Sequence, residues 1–230
     1  MTAAMAFVAT AVATLFAQAM LVRYTQSRRP QYGAWAAALG MFALASAALV
    51  SGTTTGWDRG TFRVFYLFGA VLDVPWLALG TVYLLASPLV ARRVRAVLLV
   101  VSGFAAGVLL SVPMEPVHGT EIPVGKDVFG ALPRILAAVG SGVAATVIIV
   151  GAVVSAVRFA RDRSPGHARL AAGNALIAAG TLVLSSGGLV QGIIGHDEAF
   201  TLSLAVGISV LYAGFLVAGS ASRGAEHKGR

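Results

Sequence analysis

Seven apolar stretches, separated by short polar connections, constrain this 230-residue chain more than any other feature. They run roughly from Thr2 to Val22, Gly33 to Gly56, Val64 to Ala91 with Asp73 inside, Ala96 to Met114, Ile135 to Val157, Leu170 to Gly195 and Ala199 to Ser222. Each supplies the ~20 residues that a helix rising about 1.5 Å per residue needs to cross ~30 Å of hydrocarbon. In lipid the backbone must satisfy its own hydrogen bonds. The runs are too long and too evenly apolar for the alternating strands of a barrel, so the spans are read as helices. The expected fold is all-α: a polytopic membrane protein whose residues 1–230 form a single transmembrane domain.

Charge orients it. The first, third and fifth connections and the tail hold Arg23, Arg28, Arg29, Arg92, Arg93, Arg95, Arg158, Arg161, Arg163, Arg169, Arg223, Lys228 and Arg230, thirteen of seventeen basic residues. The opposite side has Arg59, Arg63, Lys126 and Arg134, together with Asp58, Glu115, Glu121, Asp127, Asp197 and Glu198. The positive-inside rule then places the N-terminus outside and the C-terminus in the cytoplasm, in the cytoplasmic membrane. The net charge of +8 is thus a topology signal. Basic residues scattered over short loops, without base-stacking aromatics on one folded module, exclude nucleic acid as a partner. The lipid bilayer is the expected partner, with a small-molecule or cation ligand, a second copy of the chain or a membrane complex left open.

Ala17-Gln18-Ala19 has the small-x-small form of a signal-peptide cleavage site, but no positive segment precedes the first run, so that helix is expected to be retained. The chain has no cysteine, which removes disulfides, thiolate metal sites and a cysteine nucleophile. Arginine far outnumbers lysine and Ala, Val and Gly are heavily used, a composition that suggests a bacterial source.

An internal repeat emerges when the sequence is shifted by 135 positions, which pairs residues 1–80 with 136–215 without a gap. Val22-Arg23-Tyr24 then faces Val157-Arg158-Phe159, Arg28 and Pro30 face Arg163 and Pro165, Ser51-Gly52 faces Ser186-Gly187, and Gly60 faces Gly195. Phe65, Leu67, Ala70 and Val71 face Phe200, Leu202, Ala205 and Val206. The expected plan is two parallel three-helix repeats, 1–91 and 135–222, joined by a reversing helix at 92–114. Such repeats are related by an axis along the membrane normal, with a shared cavity where the bundles meet.

This three-plus-one-plus-three plan resembles the SWEET and PQ-loop sugar carriers and also the microbial rhodopsins. The resemblance implies a seven-helix carrier or photoprotein, yet the defining motifs are absent. The one Pro-Gln pair, Pro30-Gln31, lies in an arginine-rich loop instead of a membrane helix. The last helix has no lysine for a retinal Schiff base, since the only lysines are Lys126 and Lys228. His118, His167, His196 and His227 lie in loops or the tail, so no haem-ligating pair spans the membrane and no cofactor is expected. The run from Phe62 to Ser87 is similar to the third helix of uncharacterised bacterial seven-helix proteins, a family that brings no function with it.

Asp73 is the one ionisable carboxylate within a span, about ten residues into the third, at a depth of about 15 Å. An Asp at that depth costs roughly 2.5 to 3.5 kcal/mol on insertion scales, so it is expected to face the bundle. No Lys, Arg or His lies within the spans, and its counter-charge is read as a proton, a bound cation or a cationic substrate. Helical spacing puts Tyr66, Gly69, Trp76 and Gly80 on its face. Pro75 cannot donate to the carbonyl of Val71, which predicts a kink and a free acceptor beside the acid. A second polar stripe in the sixth span contains Asn174, Thr181 and Ser185. The substrate or ion-binding candidates are thus Asp73, Tyr66, Trp76, Asn174, Thr181 and Ser185.

The longest connection, Met114 to Arg134, contains Glu115, His118, Glu121 and Asp127, but their spacing matches no named metal site and a solvated loop is expected. Trp35 and Trp57 read as interfacial belt residues. No catalytic residues are assigned, because enzymes need paired acids, histidines or a metal in the core, and no enzyme is expected. Two readings compete: a small-molecule or ion transporter with its site near Asp73, and a ligand- or lipid-binding sensor or accessory subunit that moves nothing.

Overall fold

The structure is a computed structural model that describes residues 1–161, 167–193 and 196–227, with side chains described as far as residue 218 except at 167, 189, 190, 192 and 193. Arg163, Pro165, Gly195, Lys228 and Arg230 lie outside the described residues. Seven helices are long and apolar enough to cross a membrane, and the chain is a multi-pass membrane protein. They are α1 (Thr2–Ser27), α2 (Pro30–Thr55), α3 (Arg59–Leu85), α4 (Pro88–Ser111), α5 (Ala131–Arg161), α6 (His167–Ile193) and α7 (Asp197–His227). Among the described residues there is no sheet, only an isolated antiparallel bridge between Met114 and Phe129.

Local chemistry sets the helix ends. Arg28 closes α1 in the left-handed region at φ 55°, its N–H returning to the Tyr24 carbonyl, and Pro30 opens α2 at a position where a missing N–H costs nothing. Asp58 caps α3 by accepting from the N–H groups of Gly60 and Thr61. The Thr61 hydroxyl, followed by those backbone bonds, holds the Asp58 carboxyl below the usual carboxylate range. The third apolar run does not continue to Ala91 as one helix. Ser87 caps a new helix, with Pro88 in its first turn, so α3 ends at Leu85 and α4 starts eight residues before the expected Ala96.

Packing follows chain order around a ring. α1 packs on α2, α2 on α3, α3 on α5, α5 on α6, α6 on α7 and α7 back on α1. α4 stands outside, touching α3 and α5, with Val97, Val100, Phe104 and Leu110 turned outward. The ring has two ends. One carries the α1–α2 and α3–α4 connections, the end of α5 and the start of α6, and is called here the basic end. The other carries the 112–130 connection and is called the long-loop end.

The long connection is more than a solvated loop: Glu115, His118, Glu121 and Asp127 are exposed, as expected, but its Met, Val, Ile and Phe residues are not. Met114, Val117, Ile122, Val128 and Phe129 are buried against Trp57, Phe62 and Tyr66. Gly119, in a positive-φ turn, accepts from the Trp57 N–H at 2.9 Å, and Arg63 Nη2 donates to the Val112 carbonyl at 3.1 Å. Asp197 at the start of α7 accepts from the Ile122 N–H at 2.9 Å and from Gln191 Nε2 at 3.0 Å. The connection therefore ties α2, α3, α6 and α7 together across the mouth of the ring. Its apolar residues are interleaved with Pro, Gly and charges, which hid this role in the sequence.

Candidate functional site

A cavity of ≈ 530 Å³ opens at the basic end, between the two halves of the chain. Arg23, Gln26 and Ser27 from α1 and its end stand at the mouth with Arg29 and Gln31, and Tyr32 and Trp35 follow along α2. α3 contributes Leu77, Thr81, Leu84 and Leu85; α5 contributes a stripe from Ile148 to Phe159. Asn174 and Ile177 of α6 and Leu211 and Phe215 of α7 complete the wall, while α4 supplies nothing. The size suits a small molecule, and the wall, apolar with a few polar groups, has the usual make-up of a ligand site.

Trp35 shapes that wall. Its indole lies over Gly80, where any Cβ would overlap it, and donates from Nε1 to the Leu77 carbonyl at 3.1 Å. An edge-on contact with Phe215 of α7, with ring centroids 4.7 Å apart, ties it to the second half. Trp35 is therefore an inward residue, not an interfacial belt residue. Trp57 is likewise buried, over Gly52 at the long-loop end, so in both cases a glycine on a helix face makes the room.

Asp73 stands at the middle of α3 and is buried. On its helix, Gly80 faces Trp35 of α2 and Thr81 packs against Gly151 of α5, so the stripe of Asp73, Leu77 and Leu84 falls between those neighbours, toward the ring interior. Leu77 and Leu84 line the cavity; Asp73 lies one turn beyond Leu77, about 6 Å deeper along the helix.

The backbone around the acid is irregular. Tyr66–Leu72 forms a π-helical segment, and the Asp73 N–H bonds back to the Phe68 carbonyl. The Val74 N–H donates to Asp73 Oδ1 at 2.6 Å, and residue 75 is a proline with no N–H to give the carbonyl of Ala70. Ser141 of α5 donates to it instead, at 2.7 Å. The irregularity that Pro75 predicts is present. The released acceptor with a partner is at Ala70, one residue from the expected Val71, and a neighbouring helix satisfies it.

Those wide turns explain where Tyr66 lies. A π segment turns less per residue, so seven residues shift the helix face by roughly a third of a turn. Tyr66 consequently points away from the Asp73 stripe, packing on Gly125 and against Phe129 with centroids 4.9 Å apart. Gly69 meets Ala45 of α2. Trp76 reaches α4, donating from Nε1 to Ser102 Oγ at 3.1 Å. Asn174 lines the cavity, its Nδ2 bonded to the Leu170 carbonyl at 2.9 Å. Thr181 is buried and donates to the Ile177 carbonyl, and neither it nor Ser185 lines the cavity. Gln26, Gln31, Tyr32 and Ser155 line it without having been singled out in the sequence, and Trp35, read there as a belt residue, lines it too.

No protein-family model, no curated protein and no solved structure matches this chain. The resemblance to seven-helix carriers and rhodopsins thus rests on helix number and order.

Among the described residues, aromatic rings pack the interior toward the long-loop end. Phe62 stacks on Phe129 at 5.7 Å, Phe65 meets Phe200 edge-on at 6.3 Å, and Trp57 packs edge-on against Phe62. Trp57 Nε1, Arg63 Nε and Gln191 Oε1 are buried at this end without a hydrogen-bond partner among the described residues. No three of His, Cys, Asp and Glu come together among the described residues to hold a metal ion.

Proposed function

We propose that this protein is a carrier of small molecules or ions in the cytoplasmic membrane, with its N-terminus outside and its basic end in the cytoplasm. The observation that supports it best is the cavity: open at one end, enclosed by both three-helix halves, and closed toward the other end by packed aromatic rings. A carrier resting in an inward-facing state has this shape. The ring order supports the parallel repeat. Exchanging α1–α3 with α5–α7 carries the α3–α5 seam onto the α7–α1 seam, as an axis along the membrane normal requires.

In this reading Asp73 holds a proton or a cation at mid-depth, one turn above the ligand, and the π segment beside it is where α3 changes shape. Intramembrane acids with no basic partner mark such pathways. The test uses the full chain in proteoliposomes with a trapped pH dye, to which candidate solutes are added. Asp73→Asn is the informative variant, because Asn retains the acceptor for the Val74 N–H and preserves the local backbone. Wild-type solute uptake with accompanying proton movement, lost in Asp73→Asn, is the expected result. Uptake that is unchanged in the variant removes Asp73 from the mechanism. Saturable ligand binding with no flux would instead make the protein a sensor or accessory subunit.

A further inference from the structure

We infer that the cavity takes an oxyanion with an apolar body, a carboxylate or phosphate whose charged group rests between Arg23 and Arg29 and whose remainder lies along the Leu77 and Ile177 wall. This deepens the carrier reading and rests on the cavity being its ligand site. Three observations meet at the mouth. Arg23 and Arg29 both line it, and among the described residues no carboxylate does. The acids that the sequence adds near this end, Asp162 and the side chain of Glu226, lie outside what the structure describes. Secondly, Arg23 sits 6.0 Å from the Tyr32 ring centroid, a cation–π contact that holds the guanidinium at the opening. Thirdly, α2 begins at this mouth with Pro30 in its first turn and no side-chain cap; Pro30 has no N–H and the Arg29 and Tyr32 N–H groups are bonded to Ser27 Oγ and the Arg29 carbonyl, so what α2 adds beside the arginines is the positive end of its dipole.

Deeper in, the chemistry changes. Beyond Trp35 the wall is mainly aliphatic, with Leu77, Ile148, Ile177 and Leu211 at the inner end. A cationic ligand would have to pass two arginines to reach a lining from which Asp73, a turn beyond Leu77, is absent, whereas an anion would leave its charged group in the mouth and bury only its apolar part. Planar guanidinium groups pair carboxylate and phosphate oxygens with two parallel hydrogen bonds, which suits either headgroup. The source is either a soluble organic anion or an anionic lipid entering from the inner leaflet.

The experiment titrates the full chain in neutral detergent with octyl phosphate, octyltrimethylammonium and inorganic phosphate, with heat as the readout. Saturable binding of octyl phosphate alone is expected, at least tenfold weaker in Arg23→Gln with Arg29→Gln, variants at the surface of the mouth that leave the ring packing untouched. Arg29→Glu is expected to shift preference toward octyltrimethylammonium. Equal binding of the ammonium probe by the wild type, or octyl phosphate binding unaffected by the double variant, overturns the assignment while leaving the carrier reading in place. Octyl phosphate binding without any flux in proteoliposomes does the reverse. In nanodiscs, loss of binding when phosphatidylglycerol replaces phosphatidylcholine identifies a lipid as the competing occupant, and retention identifies a soluble anion; both support the oxyanion.

Discussion

At the basic end the ring of helices parts around a cavity with Arg23 and Arg29 at its mouth, while at the long-loop end the same ring is filled by Phe62, Tyr66, Phe129 and Phe200 and roofed by the 112–130 connection. Both ends seat a tryptophan against a glycine. Trp35 over Gly80 has the cavity on one side, whereas Trp57 over Gly52 lies within packed aromatic rings. The difference separates a region with room to rearrange from one whose packing would have to come apart for that end to open.

The largest expected effect tests that contrast directly. Gly52→Ala and Gly80→Ala each place a Cβ inside an indole, and both gain up to about 1 kcal/mol of helix propensity. Overpacking commonly costs about 1 to 3 kcal/mol, and the upper end is expected at Gly52, where Trp57 has nowhere to go, with close to no net change at Gly80, where Trp35 shifts into the cavity. Thermal unfolding in detergent checks it; equal losses at the two glycines would mean that the ends do not differ in rigidity.

Next comes the roof. Asp197→Ala removes the acceptor for the Ile122 N–H and for Gln191 Nε2, a loss of about 1.5 kcal/mol, the low end for charge-assisted bonds because the site is only partly buried. Cleavage within residues 114–130 by an added protease is expected to rise severalfold, while the basic end keeps its ligand affinity. Unchanged cleavage would show that apolar packing alone holds the roof.

The seven helices were legible because bilayer crossing demands long apolar runs. The residue-level arrangement was less so. Tyr66 reads as sharing a face with Asp73 only if the helix keeps 3.6 residues per turn between them, whereas Trp76 follows Asp73 on the regular stretch and its three-residue offset carries it round to Ser102 of α4. Nothing in the sequence besides Pro75 announces the π segment, which depends on Asp73 Oδ1 taking the Val74 N–H and on Ser141 of α5 arriving at the Ala70 carbonyl. The roof was hidden for another reason. Val117, Ile122, Val128 and Phe129 have no helical or strand period, and their burial comes from tertiary contacts with Phe62 and Tyr66.

The smallest expected effect concerns that π segment. Ser141→Ala removes the donor to the Ala70 carbonyl at the seam between the halves, worth about 0.6 kcal/mol as an average interhelical bond in lipid. A Tm lowered by a few degrees or less, together with a changed uptake rate in proteoliposomes, would mark the bond as part of a moving seam. A lowered Tm with an unchanged rate would mark it as packing only.

The absence of native cysteine permits the most direct test of the central claim, that the space between the halves is reached from the basic end alone. Ser155→Cys, in the cavity wall, is exposed to a charged, membrane-impermeant maleimide applied to one face of oriented membranes at a time. Labelling from the face bearing the α1–α2 connection, and none from the face bearing residues 112–130, is the predicted result. Equal labelling from both faces, or labelling from neither, would contradict it.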